Sequence, residues 1–329
     1  MTCVLTFVRC CVLTFASIAV MHATALAQAG GGSLSDVLQQ KIQAGNGSGS
    51  LSDVLQQKII EGQRAEAERL FELALGNYGE AMKLSADSPA GIRLILKKRA
   101  ALFEQIDMAP RAEADLSSAI NVQPFDPKTL ADRGYFYIRQ NRISDALDDF
   151  VKGNRVAPTD PMFPYGAARA LVAKGDFGNA TKFYAEAIKL SPRDGKLYLA
   201  RAESLVRQKR MPEALSDYNR AFALGIADKN DRFFGHTGRG YIALMDNDFG
   251  AAVQSFSRAL ELSPGASNVL LWRGYAYERQ GKRDLALKDF QDALAASPDS
   301  DEVKTSLNRI RTQMMQAASA PAAAPTAAK

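Results

Sequence analysis

Residues 127–160 read PKTLADRGYFYIRQNRISDALDDFVKGNRVAPTD, and residues 267–300 read SNVLLWRGYAYERQGKRDLALKDFQDALAASPDS. In the second half of the first segment, a small residue, a ring and another small residue follow at spacings of four and three, as Ala146, Phe150 and Gly153. These spacings place all three on one face of an α-helix, and small residues there let a second helix approach closely. The pattern therefore predicts paired helices.

The pattern recurs in a fixed register along most of the chain. The prolines that close it are separated by 34, 34, 72 and 34 residues, and they are Pro124, Pro158, Pro192, Pro264 and Pro298. Ile226 stands where the long interval lacks a proline. A weaker segment covers 55–92, and six segments keep the register: 93–126, 127–160, 161–194, 195–232, 233–266 and 267–300. We number these seven repeats in chain order.

The two halves of a repeat are separated by residues that suit the left-handed turn after a helix. These residues are Asn141, Gly175, Asn247 and Gly281. The repeats resemble the tetratricopeptide repeat family, whose unit is a 34-residue helix–turn–helix with small and aromatic signature positions. The resemblance implies an all-α fold, a right-handed superhelical solenoid of about seven repeats with a C-terminal capping helix. We expect the solenoid over 61–300, the capping helix over 301–318 and a disordered Ala/Pro-rich tail over 319–329.

The first 27 residues are typical of a Sec signal peptide. Arg9 precedes the apolar run from Cys10 to Met21, and Ala25 to Ala27 form a small-residue cleavage site. We expect cleavage near Ala27 and a periplasmic or secreted protein, although an uncleaved anchor is the alternative. The segment 1–27 also contains all three cysteines of the chain, so disulfide chemistry is not expected after cleavage.

Residues 32–42 and 49–59 are identical, both reading GSLSDVLQQKI. We expect 28–60 to be a flexible segment that carries this duplication. One interpretation is a tandem duplication that left a spare helical turn on a linker. The other is a short amphipathic helix that docks on a partner or folds back to cap the first repeat, although a helix this short is marginal alone.

Five repeats have an arginine directly before the small residue of the first helix. Four of these arginines are followed 16 residues later by an aspartate, which predicts the ion pairs Arg99–Asp115, Arg133–Asp149, Arg201–Asp217 and Arg273–Asp289. The fourth repeat lacks the arginine and has Phe183 in place of the aspartate. If exposed, each pair would stabilise the fold by about 0.2–1 kcal/mol.

The chemistry-bearing residues do not form a catalytic pattern. After residue 27 the chain has one histidine, His236, at a position where the repeat family places a bulky packing residue. We therefore predict a non-enzymatic protein without cofactor or metal, and an enzyme with an unrecognised site is the alternative. Basic and acidic residues, 41 and 36 in number, are interspersed, which does not favour nucleic acid as a partner.

The stacked repeats of the family expose the first helix of each repeat on a concave groove. Aromatic residues one repeat apart, interleaved with arginines, can hold an extended peptide by stacking, cation–π contacts and carboxylate pairing. The alternative for a given ring is that it only packs between neighbouring first helices. The predicted protein- or peptide-binding residues are Tyr135, Arg139, Tyr165, Arg169, Arg207, Phe234, Tyr241, Trp272, Tyr275 and Arg279.

The resemblance implies a scaffold or adaptor that binds another polypeptide during cell-envelope assembly in the periplasm. The alternative is a repeat subunit of an exopolysaccharide or cellulose secretion apparatus. We expect no stable membrane span after signal cleavage, and the sequence makes no prediction of oligomeric state.

Overall fold

The computed structural model describes residues 51–319, which form fifteen α-helices and contain no strand. The expected signal peptide, the first copy of the duplication and the tail after Ser319 lie outside the described residues. The all-α prediction is confirmed. The helices are α1 Leu51–Ala67, α2 Phe71–Leu84, α3 Pro89–Gln105, α4 Ala109–Val122, α5 Pro127–Arg139, α6 Ile143–Val156, α7 Met162–Lys174, α8 Phe177–Leu190, α9 Gly195–Arg207, α10 Met211–Leu224, α11 Lys229–Met245, α12 Phe249–Leu262, α13 Ser267–Arg279, α14 Arg283–Ala296 and α15 Asp301–Ser319.

The prediction of a flexible segment over 28–60 is wrong for its last part. Residues 51–60 are the start of α1, the first helix of the first repeat. Leu55 and Ile59, both from the second copy of the duplication, pack in a core with Tyr78 of α2. The second copy continues without a break into the rest of α1, so its apolar face is extended by a further turn and has a partner helix to pack against.

The turns between the two helices of a repeat have the predicted left-handed backbone. Asn141, Asn247, Gly175 and Gly281 have φ values of 58°, 61°, 82° and 74°. Arg69, Asp107 and Lys209 take the same conformation at the corresponding places in the first, second and fifth repeats. A non-glycine residue adopts this conformation at a steric cost, so the packed helix pair must hold the turn in place.

Helix starts follow from short polar side chains and prolines. Asp126, Asp176 and Asp248 accept hydrogen bonds from the backbone N–H groups of Thr129, Asn179 and Ala251 at 2.8, 3.1 and 3.0 Å. These bonds satisfy N–H groups that have no partner inside the helix. Pro110 and Pro212 lie in the first turn of α4 and α10, where a missing N–H costs nothing.

The contacts divide the chain into two units, Met1–Leu102 and Phe103–Lys329, with the boundary inside α3. In the first unit, α1 and α2 pack together, and Ile95 and Leu102 of α3 join their core. In the second unit, each first helix packs on the second helix of its own repeat and on the second helix of the repeat before. The second unit is therefore a stack of helix pairs in which each pair packs on the next.

Close packing within a repeat depends on a glycine opposite a phenylalanine. A Cβ at Gly134 would lie 2.8 Å from the ring of Phe150, and one at Gly274 would lie 2.5 Å from the ring of Phe290. Both distances are too short for a real contact, so an alanine at either position would displace the ring. The stack ends on α15, where Val303, Leu307 and Ile310 join a core with Phe290. This is the predicted capping helix.

Candidate functional site

The first helices form one face of the second unit. Neighbouring first helices contact one another at α5–α7, α9–α11 and α11–α13. No comparable contact joins neighbouring second helices in the part of the chain that the structure describes. Because the first helices approach one another more closely than the second helices, the stack curves with the first helices inside. We call their exposed side the inner face.

One position of each first helix forms a column along the inner face. Its members are separated by one repeat length, and they are Tyr135, Arg169, Glu203, Tyr241, Tyr275 and Arg309. Four of the six are among the predicted site residues, whereas Glu203 and Arg309 were missed. Counting forward from Tyr135 in repeat lengths identifies both residues. The repeat register thus indicates their position, whereas their residue types do not.

Tyr135, Tyr165 and Arg169 lie together at the junction of the third and fourth repeats. The guanidinium carbon of Arg169 lies 5.9 Å from the ring centroid of Tyr135 and 6.0 Å from that of Tyr165. Behind them, Tyr135 meets Phe150 edge-on at 5.1 Å, and Tyr165 meets Tyr184 at 5.9 Å. Both inner rings are thus half-buried, and Arg169 is the exposed member of the cluster.

Burial has a measurable consequence in this cluster. Desolvation raises the pKa of the Tyr135 hydroxyl to about 12, and the neighbouring Tyr165 contributes. Desolvation also raises the pKa of Tyr184. Tyrosine hydroxyls are neutral at physiological pH even at their ordinary pKa of about 10, so Arg169 is the charged group of this cluster.

The fifth repeat adds a carboxylate and a second exposed arginine. Glu203 is solvent-exposed, yet its pKa is raised, chiefly by desolvation and further by Asp231, while Arg207 acts in the opposite direction. An exposed carboxylate is desolvated only where protein surrounds it on several sides, as on a concave surface. Glu203 is thus an inner-face carboxylate with Asp231 and Arg207 close enough to influence its pKa.

The sixth and seventh repeats place their rings in a different way. Tyr241 and Trp272 contact each other with centroids 5.5 Å apart, and Trp272 also lies 6.0 Å from the core ring of Phe256. Trp272 packs against the C-terminal core and is half-buried. Phe234 is 54% exposed and meets Phe233 edge-on at 5.4 Å. Phe234 is thus the most accessible ring of the predicted set.

Tyr275 and two arginines of the predicted set already have partners. The hydroxyl of Tyr275 lies 2.7 Å from Ser306 Oγ, and Arg309 lies over its ring at 5.4 Å, so α15 covers this end. Arg139 donates to both carboxylate oxygens of Glu104 at 2.9 and 2.7 Å. Arg279 lies 5.0 Å from the ring centroid of Phe249. Arg139 is therefore neutralised, whereas Arg169, Arg207 and Arg279 are exposed and form no ion pair within residues 51–319.

Three of the four predicted ion pairs are confirmed. Arg133 and Asp149, Arg201 and Asp217, and Arg273 and Asp289 each form two N–H···O bonds of 2.7 or 2.8 Å. The aspartates are buried, so the value for exposed pairs does not apply to them. Arg99 and Asp115 fall in different units of the chain, and their pairing stays a prediction.

Two features are absent from residues 51–319. No helix there combines the length and the apolar character needed to cross a bilayer. No group of three or more histidine, cysteine, aspartate or glutamate side chains in that range is arranged to hold a metal ion.

Comparison with known proteins agrees with the repeat register. A family model described as tetratricopeptide repeat matches residues 165–230 and 237–301. The chain therefore contains tetratricopeptide repeats. Its fold is the all-α superhelical repeat fold of solved structures such as YrrB, a tetratricopeptide repeat protein with an unusual peptide-binding site (TM-score 0.50, 21% identity, 59% of this chain and 97% of that one).

Two further structures share the fold. A tetratricopeptide repeat protein from Parabacteroides merdae aligns with a TM-score of 0.55 at 15% identity over 78% of this chain and 99% of that one. PilW, described as a type IV pilus biogenesis factor, aligns with a TM-score of 0.56 at 14% identity over 66% of this chain and 98% of that one. At such identities the likeness concerns the fold alone.

The curated relatives match in their repeat regions. Human DnaJ homolog subfamily C member 7 is 36% identical over 133 residues, 37% of this chain and 25% of the relative. Small glutamine-rich tetratricopeptide repeat-containing protein 2 of Mycosarcoma maydis is 28% identical over 108 residues, 33% of this chain and 30% of the relative. The chain thus spans less than a third of the length of these relatives.

Proposed function

We propose that this tetratricopeptide repeat protein is a non-enzymatic periplasmic scaffold that binds another polypeptide along its inner face during cell-envelope assembly. One observation carries the binding proposal: Arg169 stacks on Tyr135 and Tyr165 at about 6 Å and remains exposed. A stacked guanidinium is held in place yet keeps its N–H groups free, so it can pair with a carboxylate or a backbone carbonyl of an extended chain.

The inner face also supports selection among peptides. Arg207 and Glu203 lie in the fifth repeat, next along the stack from Arg169, so charge changes sign along the face. Phe234 offers an accessible ring in the sixth repeat. A peptide that presents an acidic, a basic and an apolar group in that order along its length would match these three places.

The likeness to YrrB, described with a peptide-binding site, and to PilW, described as a pilus biogenesis factor, supports the class of function. The periplasmic location rests on the sequence of residues 1–27. It is tested by fractionating cells that express the full chain with a C-terminal tag, and by determining the N-terminus of the tagged protein. A new N-terminus after Ala27 in the periplasmic fraction is expected, and a cytosolic protein that begins at Met1 would contradict the location.

Charge reversal on the inner face tests the binding proposal. Arg169→Glu with Arg207→Glu should lower capture of the partner polypeptide from an envelope fraction by at least about tenfold, because two charge-assisted contacts are lost. Arg155→Glu with Arg220→Glu is the matched control, since both arginines are exposed on second helices. Circular dichroism should show equal unfolding temperatures for both variants. Equal capture by both variants would move the binding site away from the inner face.

A further inference from the structure

The sixth repeat departs from its neighbours at one buried position. In the third, fifth and seventh repeats, the arginine before the small residue pairs with an aspartate 16 residues later. In the sixth repeat the arginine is present as Arg239, but Ser255 takes the place of the aspartate. No ion pair joins Arg239 to a carboxylate among residues 51–319.

Arg239 is held in place without a counter-charge. It is half-buried, and its guanidinium carbon lies 5.4 Å from the ring centroid of Phe222, which in turn stacks on His236 at 4.4 Å. A serine hydroxyl cannot neutralise a guanidinium, and a desolvated charge without a partner is unfavourable. The sixth repeat therefore has the arginine of the third, fifth and seventh repeats but lacks the aspartate that pairs with it.

Other positive charges surround Arg239. Burial lowers the pKa of Arg239, and the charge of Arg258 lowers it further. Burial lowers the pKa of His236 to about 4, with Arg239, Arg258 and Arg232 as additional causes. At neutral pH the imidazole is uncharged, and three guanidinium groups share this region. Arg258 and Arg232 are exposed, so the region is open to solvent.

The geometry points to a binding site for an acidic side chain of a partner polypeptide, formed by Arg239 and Arg258 on α11 and α12. In the third repeat, for example, the corresponding arginine makes two N–H···O bonds to one carboxylate. An arginine at this position can therefore bind a carboxylate in this way. Ser255 is shorter than the aspartate of the other repeats, so the space of the missing carboxylate is available to an acidic side chain of the partner. This inference deepens the proposed function, since it assigns the chemistry of a second contact with the bound polypeptide.

An acidic polypeptide fits this site better than a nucleic acid does. Arg201 and Arg273, the corresponding residues of the adjacent repeats, are neutralised by their own aspartates. A nucleic acid needs a row of unpaired basic residues along the protein surface, whereas this part of the stack has a single basic cluster around Arg239. The place is separate from the inner face, because Arg239 and Tyr241 are two residues apart on one helix and point to opposite sides of it.

Substitution of Ser255 tests the inference directly. Ser255→Asp restores the internal partner, so it should fill the site without disturbing the fold. Binding of a fluorescein-labelled peptide of alternating glutamate and alanine to the full chain is measured by fluorescence anisotropy. Ser255→Asp should weaken it about tenfold, the factor for one charge-assisted pair, and should raise the unfolding temperature. Gln254→Glu adds the same charge at an exposed neighbour and should change the affinity less than about twofold.

Arg239→Gln should weaken peptide binding as Ser255→Asp does, whether or not it lowers stability through lost packing on Phe222. Unchanged peptide affinity in Ser255→Asp, or no peptide binding by the wild-type chain, would overturn the inference. Displacement of the peptide by inorganic phosphate at concentrations where acetate has no effect would assign the site to a phosphate group instead. Each of these outcomes leaves the Arg169 and Arg207 test intact, so failure here is distinguishable from failure of the proposed function.

Discussion

The third and sixth repeats place a glycine opposite a phenylalanine in the same way. A Cβ at Gly134 would lie 2.8 Å from Phe150, and one at Gly240 would lie 2.6 Å from Phe256. Their charges differ, because Arg133 of the third repeat has its aspartate and Arg239 of the sixth does not. Apolar packing therefore maintains the repeat when the ion pair is absent, and the arginine can then serve another purpose.

The largest change in the free energy of unfolding is expected when Asp149 of the third repeat is replaced by serine, the residue at the corresponding position of the sixth repeat. Asp149→Ser removes a buried carboxylate and leaves Arg133 without its partner, which should lower the free energy of unfolding by about 3 kcal/mol. Urea denaturation followed by circular dichroism measures it. Asp148→Ser is the control, since Asp148 is exposed on the same helix and should matter little. A loss below about 1 kcal/mol at Asp149 would mean that the pair positions the helices without stabilising them.

The shared packing can be tested with one methyl group. Gly134→Ala and Gly240→Ala should each lower the free energy of unfolding by about 1–2 kcal/mol, because the strain of the added Cβ exceeds the gain in helix propensity. Gly76→Ala in α2 is the control, since nothing lies within 4 Å of its added Cβ, and it should stabilise by up to about 1 kcal/mol. Equal stabilisation in all three variants would show that the rings move away without cost.

The smallest expected effect is the dependence of stability on pH that arises from His236 in the sixth repeat. The pKa of His236 is about 4 in the folded protein against an ordinary value of 6.5, so between these pH values the unfolded chain binds more protons. The free energy of unfolding should therefore fall as the pH drops from about 6.5 towards 4. The slope from this residue stays below about 1.4 kcal/mol per pH unit, reduced because the ring is half-exposed.

His236→Leu gives the sixth repeat the residue that the third has as Leu130, so it removes this dependence. Thermal unfolding of wild type and variant at pH 7 and pH 5 gives the comparison. The variant should lose less stability on acidification than the wild type does. If the wild type and the variant respond to acid equally, His236 is protonated in the folded protein and its burial is without consequence.

Register predicts more of this molecule than residue type does. The helix pairs, the left-handed turns at Asn141 and Asn247 and three buried ion pairs follow from counting in repeat lengths, because each repeat meets the same neighbours. Counting also places Glu203 in the inner-face column, although Glu203 is neither an aromatic residue nor an arginine. Position along the repeat is thus the better guide to which residues share a surface.

The state of a particular inner-face side chain could not be predicted in this way. Arg139 is neutralised by Glu104, and the hydroxyl of Tyr275 is taken by Ser306, because long side chains reach across to the next helix. The start of α1 was missed because nothing within the second copy of the duplication itself shows that Leu55 and Ile59 have a partner helix to pack against. Contacts between repeats, and not the pattern within one, decide these cases.

The glycine–phenylalanine contact limits how helices of this protein can be recombined. The third and seventh repeats both have glycine opposite phenylalanine, whereas the fifth has Ala202 opposite Tyr218. Grafting α13 in place of α5 would bring a glycine to Phe150, but grafting α9 there would bring a methyl group to a ring that leaves no room for it. By this contact, α13 is compatible with the place of α5 and α9 is not, so an engineered exchange that includes the fifth repeat should keep α9 together with α10.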